Sequence, residues 1–269
     1  MKLEQRALRF HARGEALIGI VDVPERPLAR GMLILPDSTQ YRTGSHRQFT
    51  LLSRLLAARG VAVMRFDRMG AGDSDGDAAV QTLDDIGAAM KEFFIHVPEM
   101  KESVILAPGD AAGCAALYAA QDARVTGLAL LDPLLPRCPK AAAAAAAAGA
   151  PAQVAEAGVR YGPRSAADRL LRRAAALGFP IGRAASRAGR EAPKQTVAPA
   201  LAQALAGFGG RVLLVSGDAA PGGEDATRDL AGQYPRSRRV EIAHAGVDVR
   251  RSAWRDAVAF ACASWLGSW

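Results

Sequence analysis

Apolar positions along this chain recur with two periods that take turns. The first residues alternate from Ala7 to Ala12, break at Gly14 and resume from Ala16 to Val21, a pattern that predicts an antiparallel hairpin. Gly31 to Leu35 is a short apolar run closed by Pro36, and Val61 to Phe66 is a second; both read as buried strands. Between them Phe49, Leu52, Leu55 and Leu56 recur at helical spacing until Gly60. Thr82 is placed to cap a helix reaching His96, with Asp84 and Asp85 in the first turn, where the dipole favours them. A strand over Ser103–Leu106, a helix over Ala111–Ala120 and a strand over Val125–Leu131 continue the alternation. Strands over 212–216 and 239–243 and helices over 225–234 and 254–265 complete it. Strand, loop and helix repeated at this spacing predict an α/β fold, with helices flanking a mostly parallel eight-stranded sheet.

The alternation fails from Pro136 to about Gly210, where no strand is legible. This stretch holds the tract Ala141–Ala148 and one amphipathic run, Arg169–Arg173, and reads as a helical cap insertion. The chain is therefore expected to divide into a first core segment 1–136, an insertion 137–210 and a second core segment 211–269. Alanine is the best helix former but buries little area, so the tract reads as a short helix rather than a docking or membrane element.

Composition narrows the function classes. With 269 residues, half of them apolar, the chain can bury a large core. The net charge of +7 is carried mainly by scattered arginines, with no basic-aromatic ribbon and no zinc-ligand spacing, so no nucleic-acid partner and no metal are expected. A nucleic-acid or membrane-surface role would require a contiguous basic face. Cys114, Cys138 and Cys262 are odd in number and far apart, which argues for a reducing compartment. The amino terminus lacks a signal-like apolar run, and no stretch is long enough to span a membrane, so a cytoplasmic protein without a cofactor is expected.

Ligands of such sheets bind at the carboxyl ends of the strands. After the third strand come Asp37 and Ser38, where backbone N–H groups commonly help form an oxyanion hole. Gly44 or Ser45 is placed to cap the following helix, and His46 and Arg47 to bond loop carbonyls. After the fourth strand, Asp67, Gly70, Gly72, Ser74 and Gly76 form a glycine-rich loop. It lacks the Walker lysine and its spacing is not Gly-x-Gly-x-x-Gly, so it reads as structural. After the fifth strand comes Ala107-Pro108-Gly109-Asp110-Ala111. A sharp strand-to-helix turn of the form small-x-nucleophile-x-small belongs at this point, and its apex here is Gly109, which has no side chain to attack with. Asp110 would sit at the helix amino terminus as a cap or dipole partner.

The loop Asp67–Gly76 resembles the Asp-x-x-Gly-x-Gly-x-Ser-x-Gly loop of α/β-hydrolases. Gln40-Tyr41-Arg42, followed by Gly44-Ser45-His46-Arg47-Gln48-Phe49, resembles the exosortase A system-associated hydrolase 1 family of Gram-negative bacteria. So do Asp110-Ala111-Ala112 and Ala253-Trp254-Arg255-Asp256-Ala257-Val258. The likeness covers roughly residues 5–135 and 210–269. It implies the α/β-hydrolase fold and an ancestry among ester or thioester acyl hydrolases. Its nucleophilic cysteine falls on Gly109 and its histidine slot on Val247, with His244 the nearest histidine. Asp132, Asp218 and Asp225 are the candidate acids, and Asp37-Ser38-Thr39 replaces the family's Gly-Gly-Pro. The expectation is a catalytically degenerate hydrolase that binds a small acyl or glycan-related ligand, or a protein of the exosortase and exopolysaccharide system. The alternative is an active hydrolase with moved parts: Cys114, within Ala112-Gly113-Cys114-Ala115-Ala116, as nucleophile, His244 as base, and Asp218 or Asp225 orienting it.

Overall fold

A computed structural model describes residues 3–38, 40–78, 83–133, 197–217, 230–231, 234, 236–242 and 247–269. The alanine tract, the Arg169–Arg173 run, Cys138, Thr39, Thr82, Asp218, Asp225 and His244 lie outside the described residues. The chain forms two compact units, Met1–Ala152 with Thr196–Trp269, and Gln153–Gln195, the second lying outside the described residues.

The first unit is built on eight strands: β1 (Leu3–Ala12), β2 (Glu15–Pro24), β3 (Arg30–Ile34), β4 (Val63–Phe66), β5 (Glu102–Pro108), β6 (Val125–Leu131), β7 (Arg211–Gly217) and β8 (Ser237–Ile242). They lie in the order β1-β2-β4-β3-β5-β6-β7-β8. β1 pairs antiparallel with β2, and β2 with β4; every other pairing is parallel. Arg13 and Gly14 make the two-residue hairpin turn, both with positive φ (53° and 89°), the signature of a type I′ turn that matches strand twist. The helices are α1 (Gln48–Ala57), α2 (Leu83–His96), α3 (Ala111–Ala119), α4 (Val197–Ala206) and α5 (Val247–Leu266).

The central strands read as continuous apolar runs because both faces of the sheet are covered. On one face Leu33, Ile105, Leu128 and Leu214 pack with Ile86, Met90 and Phe93 of α2, Cys114 of α3, and Leu201 and Leu205 of α4. On the other, Met32, Val104, Leu106, Ala129 and Leu213 pack with Leu52 and Leu56 of α1 and Val258 and Trp265 of α5. Burying each Leu, Ile or Phe fully contributes roughly 1.5–3 kcal/mol, so these two layers hold the strand ends in register.

Two boundaries differ from expectation. The insertion was expected to run to residue 210, but α4 buries Leu201 and Leu205 in the core and belongs to the first unit. Pro199 falls in the first turn of α4, where a helix tolerates it. The last helix begins at Val247 rather than at Trp254; no glycine or proline interrupts residues 247–253, so the backbone is free to start about two turns earlier.

Candidate active site

The carboxyl ends of β3, β4 and β5 meet in a polar layer above the core. β5 ends at Pro108, α3 begins at Ala111, and Gly109 takes the turn between them with φ +53°. Its N–H donates to the Leu131 carbonyl of β6 at 2.9 Å, which fixes the turn against the sheet. A residue with a Cβ in this region costs about 1–2 kcal/mol. Here the strained position carries glycine, and the apex presents only backbone.

The neighbouring Asp110 does not act as the expected cap of α3, since its carboxylate makes no capping bond. It reaches instead to the end of β3, where the Ser38 N–H donates to Oδ1 at 3.0 Å and the Ser38 hydroxyl to Oδ2 at 2.5 Å. Both a cap and this grip would use the same ionised acceptor, so two donors outweigh the single helix N–H that a cap would satisfy. The Ser38 N–H, a candidate oxyanion donor, is thus engaged by a carboxylate of the same chain.

Asp37 and Ser38 are set by a polar ladder. Gln40 Nε2 donates to Asp37 Oδ2 at 2.9 Å, and Gln40 Oε1 accepts from the Ser45 N–H at 3.0 Å and from Gln48 Nε2 at 2.8 Å. Gln40 therefore serves the function expected of a cap. Neither Gly44 nor Ser45 makes a side-chain cap; a 3-10 turn over Ser45–Arg47 precedes α1, with the exposed His46 and Arg47 at φ 51° and 62°. The Thr43 carbonyl takes the Phe49 N–H at 3.0 Å.

The glycine-rich loop is organised around Asp67, which is completely buried. Its Oδ1 accepts the Arg42 N–H at 2.7 Å and its Oδ2 the Asp73 N–H at 2.9 Å, and the Arg42 guanidinium pairs with it. Arg42 also bonds Asp73 Oδ2 at 2.5 Å. Burial alone would lower the Arg42 pKa, but Asp73 and Asp67 hold it above the ordinary value. Gly72, at φ +59°, lies so close that a Cβ there would stand 2.2 Å from Asp67 Oδ2. Gly70 and Gly76 also have positive φ, and the Ser74 hydroxyl donates to the Asp67 carbonyl at 2.8 Å. The Asp73 N–H that a phosphate would need is occupied by the loop's own carboxylate.

Cys114 does not stand at the strand-helix turn. It is the fourth residue of α3, 1% exposed, and its Sγ accepts from Arg68 Nη1 at 3.8 Å. Arg68 Nε and Nη2 bond Asp85 at 3.0 and 3.2 Å. The moved-parts arrangement requires Cys114 at the strand-helix turn, and the buried thiol instead lies within α3; His244, Asp218 and Asp225 are outside the described residues. Asp132 follows the last residue of β6 with φ 42°, its N–H on the Val215 carbonyl at 2.8 Å, and is the candidate acid among the described residues. Val247 opens α5.

Sequence reading missed two buried ionic clusters. Asp85, expected only as a dipole partner, neutralises Arg68. Across β2 and β4, Arg65 Nε donates to Asp22 Oδ2 at 3.2 Å and Nη1 to Thr50 Oγ1 at 3.2 Å, while the Ser53 hydroxyl also donates to Asp22. Burial lowers the Arg65 pKa against the pull of Asp22. The available signal was an acid and a base of opposite charge within two otherwise apolar strands.

Among the described residues no group of three or more His, Cys, Asp and Glu is placed to hold a metal ion, and no helix is long and apolar enough to cross a membrane. This strand order and elbow turn define the α/β-hydrolase fold, and comparison with solved structures agrees. Est1E from Butyrivibrio proteoclasticus, with ferulic acid bound, is 19% identical with TM-score 0.64, over 97% of this chain and 100% of that one. The Pyrococcus furiosus esterase Pf2001 is 13% identical with TM-score 0.61, over 98% and 91%. A dienelactone hydrolase from Anabaena variabilis is 12% identical with TM-score 0.62, over 100% and 99%. At these identities the likeness establishes the fold. No protein-family model and no curated protein matches the sequence.

Proposed function

We propose that this chain is a degenerate acyl hydrolase of the exosortase A system-associated type: a cytoplasmic binder of an acyl or glycan-related ligand, or of a protein of that system, that has given up covalent catalysis. The observation that carries this reading is Gly109 at the elbow, a left-handed turn between β5 and α3 with no nucleophile on it. The Asp110 grip on Ser38 supports it. An α/β-hydrolase stripped of its triad still accelerates hydrolysis by about 10³–10⁴ over water through its oxyanion hole and binding. Here a carboxylate already engages the Ser38 N–H, and a negative charge beside a developing oxyanion opposes it, so even that remainder is curtailed. Buried Cys114 offers no substitute nucleophile.

The test is pre-steady-state hydrolysis of p-nitrophenyl butyrate and a short acyl thioester by the full chain. The expected result is no burst and a slow linear rate. Gly109→Cys, made in a Cys138→Ala background, is expected to restore an alkylatable thiol at the apex, seen by mass spectrometry after iodoacetamide. A burst of p-nitrophenol stoichiometric with the unmodified chain would overturn the reading.

A further inference from the structure

We propose that the opposite end of the sheet carries a binding site for a phosphoryl-bearing small molecule, independent of the elbow. Arg211 opens β7, and Ser237 and Arg238 open β8 beside it in parallel register. With Gly209, Arg236, Trp265 and Ser268 they line a trough of about 520 Å³. Strand length puts it roughly 20 Å from Gly109, at about 3.3 Å per residue along β5.

Three guanidinium groups share this trough, and no Asp or Glu stands among the described residues that line it. Among the described residues no carboxylate pairs with Arg211, Arg236 or Arg238. That contrasts with the arginines nearby: Arg30 spends its donors on Glu102 at 2.5 Å and on the Leu266 and Trp269 carbonyls at 2.7 and 2.8 Å. Two of the three are positioned rather than loose. Arg211 lies 4.9 Å from the centroid of the Trp269 ring, and Arg236 Nη1 donates to the Gly209 carbonyl. The Ser237 and Ser268 hydroxyls donate inward, to the Tyr234 and Trp265 carbonyls, each at 2.7 Å. The donors left for a ligand are guanidinium N–H groups.

Guanidinium forks match the tetrahedral oxygens of a phosphoryl dianion, and three of them suit two or more acceptor oxygens better than one carboxylate would. The volume falls within the range of about 300–1,000 Å³ typical of small-molecule sites and exceeds what a bare ion needs.

Titration calorimetry of the full chain in low-salt buffer tests this with inorganic pyrophosphate, adenosine diphosphate and adenosine. Saturable binding of both phosphates and none of adenosine is expected; tighter binding of the diphosphate ester assigns the site to organic phosphates, equal affinity to the free anion. Arg211→Glu with Arg238→Glu is expected to weaken binding by at least about tenfold, through loss of charge-assisted bonds. Arg9→Glu with Arg59→Glu, exposed arginines elsewhere with the same change in net charge, is expected to leave it within about twofold. Arg238→Gln, a milder change at an exposed position, repeats the test should the double reversal fail to fold. Absence of saturable binding, or equal weakening in the two reversals, overturns the proposal.

Discussion

Replacing Asp67 tests whether the glycine-rich loop is held by one buried carboxylate. The side chain is fully buried and accepts two backbone N–H groups, from Arg42 at 2.7 Å and Asp73 at 2.9 Å, besides pairing with the Arg42 guanidinium. Asp67→Ala strands both N–H groups and removes the buried counter-charge of Arg42. An unsatisfied buried donor costs about 1–3 kcal/mol, and breaking a buried ion pair from one side about 3–5 kcal/mol. These terms overlap, and water entering the space left behind recovers part of them, so a loss of about 3–5 kcal/mol is expected. Asp67→Asn keeps the shape but turns one acceptor into a donor facing a donor, and is expected to lose about 2–3 kcal/mol. Asp73 is the contrast: its side chain is 69% exposed, so Asp73→Asn, although it also touches Arg42, is expected to lose no more than about 1 kcal/mol. Urea unfolding followed by tryptophan fluorescence reads all three, compared at equal m-value. If Asp67→Asn unfolds within about 1 kcal/mol of the parent, the loop is held by something else and the reasoning fails.

Gly72→Ala combines a positive φ with a contact of 2.2 Å to Asp67 and is expected to destabilise by about 2–4 kcal/mol in the same urea assay, against a smaller loss of about 1–2 kcal/mol from backbone strain alone for alanine at Gly14, where φ is +89° but nothing lies within 4 Å. Burial raises the Asp122 pKa but bonds from Arg124 and Tyr118 outweigh it, so the carboxyl sits below its ordinary value; its stabilisation is present above the unfolded pKa and is lost as pH falls below about 4. Asp122→Asn should flatten the acid limb of a melting-temperature profile, and an unchanged limb would refute the assignment. Tyr118 is pushed upward, by burial first and then by its bond to Asp122, so the parent loses stability as pH rises above about 10, and Tyr118→Phe should remove that loss. Cys262 is buried with its thiol pushed up to about 12, and Cys114 is 1% exposed; a thiol-disulfide reagent at pH 8 should therefore titrate at most one of the three cysteines before unfolding.

The eight strands and helices α1 to α3 were legible along the chain because each carries a period, and both faces of the sheet demand apolar residues; α4, hidden in the expected insertion, was not. The elbow was legible too: a buried strand, a proline and a glycine announce a turn wherever they stand. Side-chain partnerships across the sequence were not. Asp110 sits where a cap is expected, and nothing local says that Ser38, seventy-two residues away in sequence, competes for its carboxylate. Gln40 supplies bonds credited to Ser45 because a glutamine can reach past its own turn. The start of α5 was missed for the opposite reason, since Val247 to Ser252 carries no periodic apolar stripe and propensity alone decides it.

The resemblance to acyl hydrolases is densest where the chain has structural work to do and thinnest where chemistry would occur. Gln40 to Phe49 and Asp67 to Gly76 build the loops: Arg42 joins them through Asp67, Gln40 ties Asp37 to α1, and Gly72 leaves room for a buried carboxylate. Removing any of these is expected to cost folding energy whether or not the protein turns over a substrate. The apex at residue 109 bears no such load, since a left-handed turn is satisfied by glycine. A scaffold of this kind can part with its nucleophile and base while its signature loops stay intact, so those loops argue for the fold and carry no vote on activity.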